Sequence, residues 1–146
     1  MHINRRTFGS AIACASAAGL LAPNAWAQKP LVLGFSQVGA ESEWRTSNTE
    51  SIKSAAKEAG IELKFSDAQQ KQENQIKAIR SFIAQKVDVI AFAPVVTTGW
   101  DTVLMEAKKA KIPVVLTDRS IETKDPSLYV TMIGSDFTEE GRKAAR

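Results

Sequence analysis

From Leu31 onward the chain alternates short apolar runs with longer stretches whose apolar residues recur at helical spacing. Leu31–Phe35, Ile61–Phe65, Val87–Ala93 and Ile112–Thr117 are short, apolar and closed by polar residues or Pro, which is the pattern of strands. Three of them are nearly continuous apolar runs, as expected where a parallel sheet is covered on both faces. Ile61-Glu-Leu-Lys-Phe65 alternates instead and is expected at a sheet edge. Leu128–Ile133 reads as a fifth strand.

Between these runs, Ile52, Ala55, Ala56 and Ala59 recur at i, i+3, i+4 and i+7, and Gly60 supplies a helix stop. Ile76, Ile79, Phe82 and Ile83 form a second stripe. Val103, Leu104, Ala107 and Ala110 form a third, opened by Asp101, whose carboxylate suits a helix N-terminus. Strand starts recur at intervals close to the ≈ 30 residues of a βαβ unit. Such connections are right-handed and give a parallel sheet with helices on both faces. The expected fold class is therefore α/β, a doubly wound parallel sheet.

The segment before Leu31 changes where this fold would operate. Arg5-Arg6 precede a weakly apolar stretch from Ala11 to Ala22, and Ala25-Trp26-Ala27 is a small-x-small cleavage signature. That is the layout of a secretory signal over residues 1–27. Asn4-Arg5-Arg6-Thr7-Phe8 is similar to the twin-arginine export motif, with general secretion as the other route. The apolar run is too short for a span, which needs about 20 residues. Cleavage would remove His2 and Cys14, the only His and the only Cys of the chain. Cys/His zinc sites, thiol nucleophiles, Ser-His-Asp triads and disulfides would go with them, and no metal or cofactor is expected. Loss of Arg5 and Arg6 brings the 19 basic and 16 acidic residues close to balance. The sequence pI of about 9.1 thus belongs to the precursor and argues for no nucleic-acid partner.

Ligands of open parallel sheets collect at the carboxyl ends of the strands. Those ends read Ser36–Arg45, Ser66–Gln70, Pro94–Gly99 and Asp118–Ser120. Gly34 and Gly39 lack the G-x-G-x-x-G spacing of a dinucleotide site, and no P-loop is present. Ser36-Gln37 and Pro94-Val95 stand where a phospho-receiver would need acids.

What the ends do carry suits a sugar. Trp44 offers a flat apolar face with a polar N–H. Arg45 and Arg119 are donor forks, and Glu41 and Asp118 are acceptors when ionised. Hydroxyls donate and accept at once, and charge-assisted hydrogen bonds are roughly twice as strong as neutral ones. Trp44 alone would as readily be packing, and Asp118-Arg119 alone a local ion pair or helix cap. Their joint place at strand carboxyl ends is what points to a ligand.

At these residues the chain resembles type I periplasmic binding proteins, the soluble sugar receptors of ABC importers, and within them the galactofuranose-binding branch. The matching runs are Val32–Gly39, Glu41-Ser42 with Trp44-Arg45, Gln69–Ile76, Ala93–Val96 with Thr98-Gly-Trp100, and Asp118–Ile121. The resemblance implies two α/β lobes around a sugar-filled cleft, a monosaccharide ligand, a permease partner at the inner membrane, a periplasmic location and a monomer when complete. It implies sugar contacts from Glu41, Ser42, Glu43, Trp44, Arg45, Asp118 and Arg119, with Trp44 stacking on the ring. Glu43 departs from a member of that branch, which carries Gly there; a carboxylate either adds an acceptor or crowds the ring. By the same resemblance, residues 28–135 form the N-terminal lobe. Residues 136–146 form the hinge crossing and the start of a second lobe that is largely missing. Gln69–Gln75 is expected to build a helix N-terminus or a permease-docking surface.

Two other classes compete. An exported carbohydrate-active enzyme would use Glu41 and Asp118 as its carboxylate pair. Each stands near an Arg, however, which suits an acceptor better than a proton donor. A sugar-responsive regulator would need an N-terminal helix-turn-helix, and the export signal occupies that place.

Overall fold

The computed structural model describes residues 29–146, so the expected export signal lies outside the described residues. Strands β1 (Val32–Gln37), β2 (Glu62–Asp67), β3 (Val89–Phe92), β4 (Val114–Thr117) and β5 (Thr131–Ile133) form one parallel sheet in the order β2-β1-β3-β4-β5. Helices α1 (Glu43–Glu58), α2 (Gln72–Ala84) and α3 (Asp101–Lys109) make the connections, and α4 (Phe137–Ala144) follows β5. Because β1 connects outward to β2 while the chain then returns to β3, the direction of winding reverses between β1 and β3. The carboxyl ends of those two strands therefore flank the switch point of the sheet.

The core lies under α2 and α3, which pack on each other, with α2 across β1 and β2. The second and third apolar stripes build it as expected. Ile79, Phe82, Val103, Leu104 and Ala107 are buried against Ile90, Phe92, Val114 and Leu116. Gly34 permits this approach, since a Cβ there would sit 2.6 Å from Phe82 Cγ. Trp100 adds the largest buried side chain; it tilts onto Phe92 with ring centroids 4.9 Å apart and donates its indole N–H to the Val96 carbonyl at 2.8 Å.

Two expectations are corrected. The fifth strand is shorter than Leu128–Ile133, because Pro126–Leu128 is a 3-10 turn capped by Asp125, whose carboxylate accepts from the Ser127 N–H. Leu128 plugs into the core there, and pairing resumes only where the Val130 N–H reaches the Val114 carbonyl. The Ala-rich stripe of α1 does not mark a buried face either: Ala56 is buried, but Ala55 and Ala59 are exposed. The reason is positional, since α1 lies over β2, the edge strand that the alternation of Ile61–Phe65 anticipated. The helix stop holds. Gly60 at φ 66° receives the chain in a Schellman turn, with the Ile61 N–H on the Ala56 carbonyl.

Candidate functional site

The site begins where β1 runs out. Ser42, extended at φ −149°, accepts from the Arg45 N–H through its hydroxyl and starts α1. Glu43 follows in the first turn, where a carboxylate favours the helix dipole. This cap fixes the directions of the next two side chains. Trp44 stays 55% exposed, while Arg45 turns inward and is only 4% exposed.

A buried guanidinium must be paired, and Arg45 is paired at every nitrogen. Nε donates to Glu41 Oε1 at 3.2 Å, Nη1 approaches Gln37 Oε1 at 3.5 Å, and Nη2 donates to Asp118 Oδ2 at 2.6 Å. The same group lies over the Trp44 ring, 4.7 Å from its centroid, in cation–π contact. The Arg45–Asp118 bond ties the first turn of α1 to the end of β4 across 73 residues.

Asp118 reaches Arg45 by an unusual backbone. Its φ is 66°, and the Arg119 N–H bonds back to the Thr117 carbonyl at 2.7 Å, closing a γ-turn centred on Asp118. Positive-φ γ-turns are strained in non-glycine residues, and such strain gathers at ligand clamps. The surroundings hold it: the Asp118 N–H donates to the Ile133 carbonyl at 2.8 Å, and Gly134 lies against its carbonyl oxygen.

A groove of about 560 Å³ opens at these strand ends, lined by Trp44, Arg45, Thr97, Asp118, Arg119, Ser120 and Phe137. That volume is typical of small-molecule sites. The structure thus brings Trp44, Arg45, Asp118 and Arg119 of the expected set together. Arg119 also pairs with Asp118, Nε to Oδ2 at 3.5 Å. Glu41 joins through Arg45. Ser42 serves as the helix cap, and Glu41, Ser42 and Glu43 line a separate recess with Thr46 and Ser47.

Thr97, Ser120 and Phe137 escaped individual notice, although the first two lie in segments whose position at strand ends was legible. The Glu122 N–H on the Thr97 carbonyl, 2.7 Å, holds those two loops side by side. The segment Gln69–Gln75 takes on a structural task. Gln75, fully buried, donates to the Ala93 carbonyl at 2.6 Å and accepts from the Val95 N–H at 3.0 Å, bracing the loop after β3.

This chemistry suits recognition of a polyhydroxylated ring: an aromatic face, guanidinium donors and the Asp118 carboxyl as acceptor around one opening. It suits hydrolysis poorly, because the two carboxylates an enzyme would need, Glu41 and Asp118, grip the same guanidinium. Among the described residues, no three His, Cys, Asp or Glu side chains gather as a metal site requires, and no helix is long and apolar enough to cross a membrane.

A family model described as a periplasmic binding protein domain matches residues 33–146. The chain belongs to the periplasmic binding protein domain family. Within that family it is 61% identical over 113 residues to the galactofuranose-binding protein YtfQ of Escherichia coli K12, covering 77% of this chain and 36% of that protein. A Mycobacterium smegmatis structure in complex with β-D-fucofuranose is 69% identical at a TM-score of 0.76, covering 78% of this chain and 38% of that one. The periplasmic binding protein component of the arabinose ABC transporter of Shewanella sp. ANA-3, bound to α- and β-L-arabinofuranose, is 68% identical at a TM-score of 0.75, covering 77% and 37%. The chain therefore spans little more than a third of the length of these relatives. The five-stranded parallel sheet is that of the N-terminal lobe of a type I periplasmic binding protein, as the sequence led us to expect.

Proposed function

We propose that this chain forms the first lobe of an exported, periplasmic receptor that captures a galactofuranose-like monosaccharide and delivers it to the permease of an ABC importer. Residues 28–135 are the lobe, residues 136–146 the crossing toward a second lobe, and residues 1–27 the signal cleaved on export. The receptor acts as a monomer, without cofactor or nucleic-acid partner.

The observation that carries this reading is the Arg45 guanidinium, buried between Glu41 and Asp118 beside the open face of Trp44. Trp44 stacks on the sugar ring. Arg45, Asp118 and Arg119 meet its hydroxyls, and Glu41 and Ser42 hold Arg45 in place through an ion pair and a helix cap. Glu43 supplies an acceptor at the margin. The furanose preference rests on the names of three relatives, which carry galactofuranose, fucofuranose and arabinofuranose. Two of these relatives are named as binding proteins, which favours capture over catalysis.

Calorimetric titration of the complete receptor with D-galactose, D-fucose and L-arabinose tests the reading, with D-glucose as control. Binding of at least one of the three, well ahead of glucose, is expected. Equal binding of glucose, or release of sugar from a matching glycoside, would overturn it.

A further inference from the structure

Gln37 belongs to neither the groove nor the set of ligand contacts, yet it is fully buried at the end of β1. A buried amide must place two donors and an acceptor, and leaving them unmet is costly. Its Nε2 donates to Asn48 Oδ1 at 2.9 Å and to Thr49 Oγ1 at 3.1 Å, both on α1. Its Oε1 accepts from the Val38 N–H at 3.0 Å and faces Arg45 Nη1 at 3.5 Å. The opposite orientation would turn the NH₂ toward a backbone N–H and a guanidinium, donor against donor. The Val38 N–H and Arg45, both obligate donors, therefore decide that the oxygen points at Arg45, while Asn48 and Thr49 hold the NH₂ on the opposite side.

We propose that Gln37 is a positioning residue that fixes the plane of the Arg45 guanidinium and so sets the affinity of the sugar site from beneath it. This rests on the reading of Arg45 as a sugar contact. A guanidinium has five N–H donors in a rigid fork. Three of them meet Glu41, Gln37 and Asp118, one on each nitrogen. Three acceptors on three nitrogens define a plane, and the remaining Nη1 and Nη2 hydrogens are left for a ligand. Glu41 and Asp118 come from loops and are partly exposed, whereas Gln37 comes from a strand in the middle of the sheet. It is the rigid member of the three. At 3.5 Å its contact is long, so its contribution is orientation more than bond strength.

Affinity and side-chain order should both report this. In the complete receptor, Gln37→Leu is expected to weaken furanose binding about tenfold, while Gln37→Glu, which keeps an acceptor toward Arg45, recovers most of that loss. In an Arg45→Lys background the Gln37→Leu loss should shrink below twofold, since a residue acting through Arg45 has nothing left to position. An equal loss in both backgrounds would make Gln37 a merely structural residue and overturn the proposal.

Nuclear magnetic resonance of the Arg45 side-chain N–H groups gives a reading that needs no sugar. Separate, slowly exchanging Nη signals are expected in the wild type and averaged ones in Gln37→Leu. Unchanged Nη signals would sink the positioning role whatever the ligand proves to be, and a wild type that binds none of the sugars would count against the receptor reading alone. Should Gln37→Leu fail to fold, Asn48→Ala frees the amide instead. It should loosen the Nη signals and weaken binding about threefold; no change in either would refute the proposal.

Discussion

Arg45 and Arg80 each meet a carboxylate far away in sequence, and by geometry Arg80 has the better bond. Its Nε and Nη2 grip both oxygens of Glu106, at 2.9 and 2.8 Å, joining the outer surfaces of α2 and α3. That mutual bond holds the Glu106 carboxyl below the usual carboxylate range and raises the Arg80 guanidinium. Arg45 has no such fork. It spreads over Gln37 and Glu41, from the end of β1 and the loop after it, and Asp118, from the end of β4. Yet Arg80 stands in water, where an ion pair competes with solvent and salt. Arg45 is buried beside an open groove, where an unpaired charge is costly and a held one is already aimed. Ideal pair geometry therefore marks the surface strap, and convergence from two strand ends onto one buried group marks the candidate site.

Asp118→Ala should break this contrast most severely. It leaves Arg45 without its shortest bond, and affinity for the sugar is expected to fall at least a hundredfold, about 2.7 kcal/mol, in a calorimetric titration. Trp44→Ala comes next, with about 1.5–3 kcal/mol of affinity lost, on the scale of a large side chain covered by ligand. Its thermal midpoint should hardly move, because the ring is already exposed in the free protein. Unchanged affinity would make Trp44 a packing residue.

Gly134→Ala acts at one remove. A Cβ there would sit 2.8 Å from the Asp118 carbonyl oxygen, so the strained γ-turn must shift. A loss of stability on the order of 1–3 kcal/mol is expected with sugar binding about tenfold weaker; a midpoint and an affinity both equal to the wild type would show the turn to be free to move.

Glu106→Gln should do least. Its folded carboxyl is held low by Arg80, so its contribution to stability is present above the unfolded carboxylate range and fades as pH falls through the folded value. Denaturant unfolding should show a small deficit at pH 7 that shrinks as acid protonates the carboxylate and in high salt, with sugar affinity unchanged throughout. A deficit that survived acid would point to packing in place of the charge.

The periodicities of α2 and α3 announced the core because both helices cover the centre of the sheet, where burial and pattern coincide. The Ala stripe of α1 misled for the opposite reason: over an edge strand, apolar spacing does not ensure burial. The loops of the candidate site were legible because an aromatic face and opposite charges sat at strand ends. Their linkage was not, since nothing in Asp118-Arg119 specifies a γ-turn that turns toward Arg45. Gln75 did leave a trace, four residues before Ile79 and seven before Phe82 on the buried stripe of α2. Gln37 left less, the second of two polar residues closing an apolar strand, whose value appears only when Asn48, Thr49 and Arg45 close around it.

The most direct test sets the two arginines side by side: titration of the complete receptor carrying Arg45→Ala and, separately, Arg80→Ala with the sugar the wild type binds. Loss of at least a hundredfold for the first and less than twofold for the second is the predicted result. Binding by Arg45→Ala within threefold of the wild type, or equal losses in both variants, would contradict a site built around the buried guanidinium.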